Sequence, residues 1–445
     1  MRHKAIVQRP ISKLRENPAN ARTHNDRQID QIANSILAFD FVNPVLIDEN
    51  GMIMAGHGRV RAAKKLGRES VPTLVIDHLS DAQKRAYIIA DNRLAELAGW
   101  DSEILAIELQ HLLEADISFE ITDVGFDIAE IDLVLGAPAR ESGLDPADSL
   151  LPPIEELTVS RPGDIWEIGD RRLLCGNALE AASYGEIMRG EEAALVFADP
   201  PYNLRVGSIS GLGKTKHREF EMASGEMSKS EYTRFLTEAF RRMASASVVG
   251  SIHFVCMDWR HLSELLRAGR IAYSELKNIC VWVKSAGGIG SLYRSRHELI
   301  AVFKNGNAPH ENNVLLGRYG RTRTNVWEYP GLNSFQKGRG EALSMHPTVK
   351  PVALVADAIL DCSRRNDVIL DPFAGSGTSI IAAHRTGRRC CAIELDPRFV
   401  DVSAKRARQV LGEEPICIQT GQTFSDRERE LRSPVDDVGL GRRHG

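Results

Sequence analysis

The apolar run Ala193-Ala194-Leu195-Val196-Phe197-Ala198, followed at once by Asp199-Pro200-Pro201-Tyr202, constrains this chain more than any other stretch. Apolar residues without alternation read as a strand buried on both faces, the pattern of a parallel sheet covered by helices. Two consecutive prolines lack the N–H groups that a ladder needs, so the strand ends at Asp199. A carboxylate, two prolines and an aromatic ring are thereby set at the carboxyl end of a strand, where open α/β sheets build their ligand sites. The prolines leave bare carbonyls pointing outward. Such acceptors beside an aromatic face suit an exocyclic amino group on a flat heterocycle.

The same alternation continues downstream. Candidate strands at 251–256, 277–283, 298–303, 368–371 and 389–394 are interleaved with helical patterns at 230–245, 352–362, 378–385 and 398–411. This predicts a Rossmann-like α/β domain over 154–412, a mostly parallel sheet covered on both faces. A chain of 445 residues has room for two or three domains. Ahead of the sheet, residues 1–136 combine short strands at 43–48, 52–55 and 71–76 with a helix at 59–66 and helical patterns from 81 to 135, a smaller α+β domain. Residues 137–153, opening on a stretch rich in Pro, Gly, Ser and Asp, read as a linker. Residues 413–445 read as a tail, charged and Gly-rich from Thr423 and partly disordered.

Composition excludes several classes. No apolar run approaches the roughly 20 residues of a membrane span. Met1-Arg2-His3-Lys4 lacks the apolar core of a signal peptide. Seven cysteines without a Cys-x-x-Cys pair argue against a disulfide framework and a structural zinc, and Cys390-Cys391 read as buried thiols in a strand. These features predict a cytoplasmic protein without a metal site. The net charge of −4 conceals an asymmetry: residues 203–345 carry 21 Lys and Arg against 12 Asp and Glu, which leaves the rest of the chain at −13. A basic middle in an acidic chain predicts a polyanionic partner there.

A second constellation lies late in the chain. The stretch from Val368 through Asp371-Pro372-Phe373-Ala374-Gly375-Ser376-Gly377-Thr378 reads as strand, glycine turn and helix start. Glycines let backbone amides approach a ligand, and a helix N-terminus favours a carboxylate or phosphate. The next strand ends in Glu394, about 20 residues on, the spacing at which dinucleotide folds place an acid on ribose hydroxyls. The ligand should carry a ribose and an anionic group. Glu394-Leu395-Asp396-Pro397 also has the form of a helix N-cap turn.

Together these residues resemble the β group of amino-methylating DNA methyltransferases, which use S-adenosylmethionine. Asp199, Pro200, Pro201 and Tyr202 resemble the catalytic motif. The stretch His346-Pro347-Thr348-Val349-Lys350-Pro351 resembles the motif before the cofactor helix. Asp371, Phe373, Gly375, Ser376, Gly377 and Thr378 resemble the cofactor loop, and Glu394 the ribose-binding acid. The resemblance implies cofactor contacts from Asp199, His346, Thr348 and Lys350, and target recognition by residues 203–345. Asn177 stands where the family often has the acid that contacts the cofactor adenine. The form Asp-Pro-Pro-Tyr-Asn, with Asn203, resembles adenine-N6 more than cytosine-N4 enzymes. The implied activity is site-specific methylation of adenine N6 in double-stranded DNA, by base flipping and direct in-line transfer, in the manner of restriction–modification enzymes. The alternatives are cytosine-N4 methylation, or a DNA-binding protein whose methyltransferase half is inactive. Arg294, Arg296, Arg318, Arg321 and Arg323 are candidate phosphate or guanine contacts, and Tyr293, Tyr319 and Trp327 candidate base-stacking or core residues.

At the amino-terminal end, Gly56-His57-Gly58-Arg59-Val60-Arg61 resembles the ParB/sulfiredoxin-like nucleotide-binding motif, with Asn43-Pro44 upstream and Asp91-Asn92-Arg93 downstream in keeping. Gly56, His57, Gly58, Arg59 and Arg61 are thus candidates for a nucleotide phosphate or the DNA backbone. His57-Gly58 replaces the Glu-Arg or Cys-His pair that the family pattern carries, which speaks against nucleotide hydrolysis and sulfinic-acid reduction.

Overall fold

The computed structural model describes residues 5–97, 99–115, 117–136, 145–204, 225–285, 287, 292–314, 323–331 and 349–432. The chain divides into two units, Met1–Ala137 and Pro138–Gly445.

The first unit contains β1 (Val7–Pro10), α1 (Asp26–Phe39), β2 (Val45–Ile47), β3 (Ile53–Ala55), α2 (His57–Lys65), β4 (Ser70–Val75), α3 (Asp81–Leu97), α4 (Ser102–Glu114) and α5 (Ile128–Gly136). Its sheet has the order β1-β4-β2-β3. Val45, Ile47, Ile53, Val60 and Val71 form its core. Gly56 caps α2 with φ at 99°, a left-handed conformation that glycine adopts without strain. Its neighbour α1 is capped by the Asn25 side chain, which accepts from Gln28 N at 2.8 Å.

The second unit runs through β5 (Ile165–Ile168), β6 (Arg171–Cys175), α6 (Ala181–Met188), β7 (Ala193–Ala198), α7 (Lys229–Ser245), β8 (Ser247–Met257), α8 (Leu262–Ala272), β9 (Glu275–Val283), β10 (His297–Lys304) and β11 (Val326–Glu328). It continues with α9 (Val352–Cys362), β12 (Val368–Asp371), α10 (Thr378–Arg385), β13 (Arg389–Glu394), α11 (Pro397–Leu411), β14 (Ile416–Cys417) and α12 (Phe424–Arg432). The sheet has the order β11-β9-β10-β8-β7-β12-β13-β6-β5-β14. From β8 to β6 all neighbours are parallel. Antiparallel pairs flank this core, β10 with β8 and β9 on one side, β5 with β6 and β14 on the other, and β11 joins β9 in parallel, so the sheet is mixed with a parallel centre.

Strand β7 pairs with β12, Leu195 opposite Ile369. After β7 the chain moves to β8 on one side, and after β12 to β13 on the other. Connections that leave adjacent strands in opposite directions open a crevice at their carboxyl ends. Helix α7 is fastened by a capping box in which Glu231 N donates to the Ser228 hydroxyl at 3.3 Å and Ser228 N donates to Glu231 at 2.9 Å. It buries Tyr232, Phe235, Leu236, Ala239, Phe240 and Met243, the spacing of one helical face.

Two boundary expectations need correction. The stretch 137–153 is not linker throughout: Ala147 and Asp148 are each 1 % exposed, and Asp148 accepts from Val352 N at 3.0 Å. The tail is structured as far as Arg432. Phe424 is fully buried, its ring 5.2 Å from that of Trp166, and Arg427 pairs with Asp164 at 2.6 Å. The high charge that suggested disorder is paired instead, with Glu428 also holding Lys405 at 3.1 Å. All seven cysteines are free thiols, six of them buried. Among the described residues no helix is long and apolar enough to cross a membrane.

Candidate active site

One pocket opens at the carboxyl ends of β7 and β12. Asn177, Asp199, Pro200, Pro201, Tyr202, Lys350, Asp371, Phe373, Gly375, Ser376, Thr378 and Glu394 line it, joined by Leu395, Asp396 and Phe399. Pairing of β7 with β12 thus brings together motifs some 170 residues apart in the chain. Gly377 shapes the turn instead: its φ is 76°, and a Cβ there would lie 3.0 Å from Ser403. His346 and Thr348 lie outside the described residues.

On the β12 side, backbone amides converge on carboxylates. Glu394 accepts from Gly375 N at 2.8 Å and from Asp396 N at 3.0 Å. Asp371 accepts from Phe373 N at 3.0 Å and from the Ser379 hydroxyl. Burial pushes both acids up to about 7, against these hydrogen bonds. Arg406, wholly buried, donates to the Ser376 carbonyl at 3.1 Å, the Thr378 hydroxyl at 3.0 Å and the Ala147 carbonyl at 3.2 Å, tying the glycine turn to the 145–149 segment. Asn177 accepts from Leu179 N at 3.0 Å and donates to Glu180 at 3.1 Å.

On the β7 side, the acceptors are more selectively exposed than two prolines suggest. The Pro201 carbonyl takes the Tyr232 hydroxyl at 2.8 Å, while no described residue donates to that of Pro200. Asn203, with φ at 51°, is buried and accepts from Gly225 N at 3.0 Å and Met227 N at 3.2 Å; it turns the chain. The Tyr202 hydroxyl is held deep in the site, 2.7 Å from Asp199 Oδ1 and 3.0 Å from Glu298 Oε2. Lys350 Nζ lies 2.6 Å from Asp199 Oδ2, 3.0 Å from Glu298 Oε2 and 3.2 Å from the Tyr202 hydroxyl. Lys284 closes the cluster on Glu298 Oε1.

Glu298 and Lys284 were not legible as site residues. They stand on or just after strands read only as sheet, and no motif surrounds them. Their signal is a buried carboxylate at the start of an otherwise apolar strand, Glu298-Leu299-Ile300-Ala301-Val302-Phe303. Burial opposes ionisation of Glu298, but Lys350 and Lys284 outweigh it and hold its carboxyl down to about 2. Burial, with Glu298 nearby, pushes Asp199 up, and Lys350 draws it back. Asp199 is therefore the more basic acceptor of the two.

Of the candidate DNA contacts, Arg323 is engaged internally, 2.9 Å from Asp357 and 2.8 Å from Asp361, and Trp327 packs in the core. Arg294 and Arg296 are exposed, and Tyr293 is 83 % exposed. Arg318, Tyr319 and Arg321 lie outside the described residues. In the first unit, Gly56, His57, Gly58, Arg59 and Arg61 gather at the start of α2. Arg59 donates to the Pro44 carbonyl at 3.3 Å, and its Nε is buried with no hydrogen-bond partner among the described residues. Arg61 donates to the His24 carbonyl at 3.4 Å. Burial lowers the His57 pKa, and that ring accepts from Asn17 N at 3.4 Å.

Comparisons with known proteins give three family matches along the chain, one of which crosses the boundary between the units. The N6/N4 DNA methylase family model matches residues 193–405, the ParB N-terminal domain matches 1–93, and the ParB-methyltransferase HTH domain matches 103–162. Type II methyltransferase M2.DpnII of Streptococcus pneumoniae is 28% identical over 235 residues, 49% of this chain and 84% of its own. The ParB-like nuclease domain-containing protein YnaK of Escherichia coli (strain K12) is 51% identical over 80 residues, 18% of this chain and 92% of its own. Among solved structures, the M1.HpyAVI–SAM complex aligns with 53% of this chain and 97% of that one, at 18% identity and a TM-score of 0.40. The chain thus carries an N6/N4 DNA methylase domain over residues 193–405 and a ParB N-terminal domain ahead of it.

Proposed function

We propose that the second unit methylates the N6 amino group of adenine in double-stranded DNA, with S-adenosylmethionine as methyl donor. The observation that carries this reading is the pairing of the Pro200 carbonyl, which no described residue claims, and the Asp199 carboxylate with a ribose-type acid site across one crevice.

The residues fit the cofactor. Glu394 spends one lone pair of each oxygen on backbone amides, which leaves the others for ribose hydroxyls. A Cβ at Gly375 would meet only the Phe373 carbonyl at 4.0 Å, so the turn leaves open space on the pocket side. Asp371, Phe373, Ser376 and Thr378 would line the cofactor, with Asn177 toward its adenine. When bound, the cofactor supplies a methyl group activated on a sulfonium.

The amino nitrogen of adenine is a poor nucleophile because its lone pair is delocalised into the ring. Asp199 and the Pro200 carbonyl would accept its two hydrogens and draw the nitrogen toward sp³ geometry. Orientation and charge stabilisation then supply the rate, without a covalent enzyme intermediate. A nitrogen inside a duplex reaches such a pocket only if the base is flipped out. The exposed Arg294 and Arg296 suit phosphates of that duplex. The first unit is read as a second, phosphate-binding contact at Gly56–Arg61, on DNA backbone or a nucleotide, and the protein as one that acts in the cytoplasm, where DNA is available.

The test is transfer of labelled methyl to DNA, followed by digestion to nucleosides and mass spectrometry. N6-methyladenine supports the reading, and N4-methylcytosine would replace it by the other branch of the family. Asp199→Ala should abolish transfer while cofactor binding persists. Normal turnover by that variant would remove the mechanism.

A further inference from the structure

We propose that Glu298 is a positioning residue for the methyl acceptor: it offers the Tyr202 hydroxyl an alternative partner, so that Asp199 is released to accept from the incoming amino group. The proposal rests on the reading of the pocket as an amino-methylation site, and deepens it.

Both oxygens of Asp199 are already engaged, Oδ2 by Lys350 at 2.6 Å and Oδ1 by the Tyr202 hydroxyl at 2.7 Å. An amino group held by Asp199 would be the second donor on either oxygen, and an oxygen already polarised by an ammonium or a hydroxyl is the weaker acceptor for it. The tyrosine hydroxyl carries a single hydrogen. Two carboxylates lie within its reach, Asp199 Oδ1 at 2.7 Å and Glu298 Oε2 at 3.0 Å, so it donates to one at a time. A rotation of that hydrogen onto Glu298 frees a lone pair on Asp199 without moving a heavy atom.

Glu298 is built for this role. It is 8 % exposed, and it is kept ionised by Lys284 on Oε1 and Lys350 on Oε2, hence a strong acceptor at all times. Lys350, 4 % exposed, bridges the two carboxylates, so its charge is shared rather than committed to Asp199. Two ammonium groups and two carboxylates leave the cluster neutral, which suits a buried site that must also admit an uncharged base. Remove the charge from Glu298 and the hydroxyl settles on Asp199, the one remaining carboxylate. Glutamine at this position also turns an amide N–H₂ toward groups that are themselves donors.

The experiment uses the full chain and measures single-turnover methyl transfer to duplex DNA, S-adenosylmethionine affinity by calorimetry, and melting temperature. The proteins are the unsubstituted chain, Glu298→Gln, Tyr202→Phe and the double variant. Glu298→Gln should slow transfer by about 10- to 100-fold, with cofactor affinity kept within about twofold. In the Tyr202→Phe background, which lacks the hydroxyl, the same substitution should slow transfer by less than about threefold, a non-additivity that a general packing defect does not produce. The proposal is overturned if Glu298→Gln transfers methyl at the normal rate, if its loss is equal in both backgrounds, or if the loss lies in cofactor affinity. Should Glu298→Gln fail to fold, Lys284→Met tests the same arrangement from its outer end: it should slow transfer at least about threefold with cofactor affinity kept, and unchanged turnover would overturn the proposal. If the unsubstituted chain transfers no methyl to DNA, the function itself is wrong and the inference falls with it. Activity in the unsubstituted chain with no effect at Glu298 removes the inference alone.

Discussion

Replacing Glu394 with glutamine separates the cofactor side of the pocket from the rest. Its two carboxylate oxygens accept from Gly375 N at 2.8 Å and Asp396 N at 3.0 Å. Glutamine keeps the shape but has one carbonyl oxygen, so its N–H₂ must face one of these two N–H donors. A hydrogen bond to a charged acceptor contributes about 1.5–3 kcal/mol, and leaving the partner unsatisfied in a buried site costs a similar amount. Part of this strain falls on the free protein, and part on the Gly375 turn and the ribose contact proposed for Glu394. Taking about 3 kcal/mol for the cofactor's share gives a dissociation constant roughly 100-fold weaker. Calorimetric titration of S-adenosylmethionine at pH 8.5, above the pKa of about 7 that burial gives Glu394, measures this directly with the carboxylate ionised. A loss of less than about threefold, at unchanged stoichiometry and with the fold intact, would refute the assignment of Glu394 to the ribose.

Two further outcomes follow from the same geometry. Burial raises Asp371 and Glu394 to about 7 in the folded chain, above the ordinary values of 3.8 and 4.5, so folding favours their protonated forms. The stability they contribute is full below about pH 4 and is lost as pH rises through about 7, on the order of 3 kcal/mol per group. Between pH 5 and 8 the melting temperature of the cofactor-free protein should fall less steeply in Glu394→Gln than in the unsubstituted chain, and parallel slopes would contradict the assignment. Phe424→Ala should destabilise the methylase unit by about 3–5 kcal/mol, because it empties the space against Trp166. Chemical denaturation measures this loss, and a change below about 1 kcal/mol would mean that the C-terminal helix is not part of the core.

Legibility followed the locality of the signal. The strands at 193–198, 368–371 and 389–394 and the helices at 352–362 and 378–385 are legible at their observed bounds, because each couples an apolar centre to Pro, Gly or capping residues near its ends. Helix α12 was missed because its charged residues are satisfied by partners far away in sequence, Asp164 for Arg427 and Lys405 for Glu428, and composition has no access to pairing. The Ala147–Asp148 anchor escaped for the same reason: its partners are Val352 and Arg406. From sequence Tyr202 offers an aromatic face beside carbonyl acceptors, while the place of its hydroxyl between two carboxylates depends on Glu298 from a distant strand.

The sequence alone determined which backbone segments end in chemistry. An apolar strand closed by Asp-Pro-Pro, and another closed by a glycine turn, specify local conformation through missing N–H groups and left-handed glycines. Only the tertiary structure decided what those ends face. Strand order placed β7 beside β12, and the β9–β10 hairpin delivered Lys284 and Glu298 to Asp199. The charge state of a buried carboxylate is set by which cations reach it and how much water is excluded, and both are properties of packing between segments that no local pattern encodes.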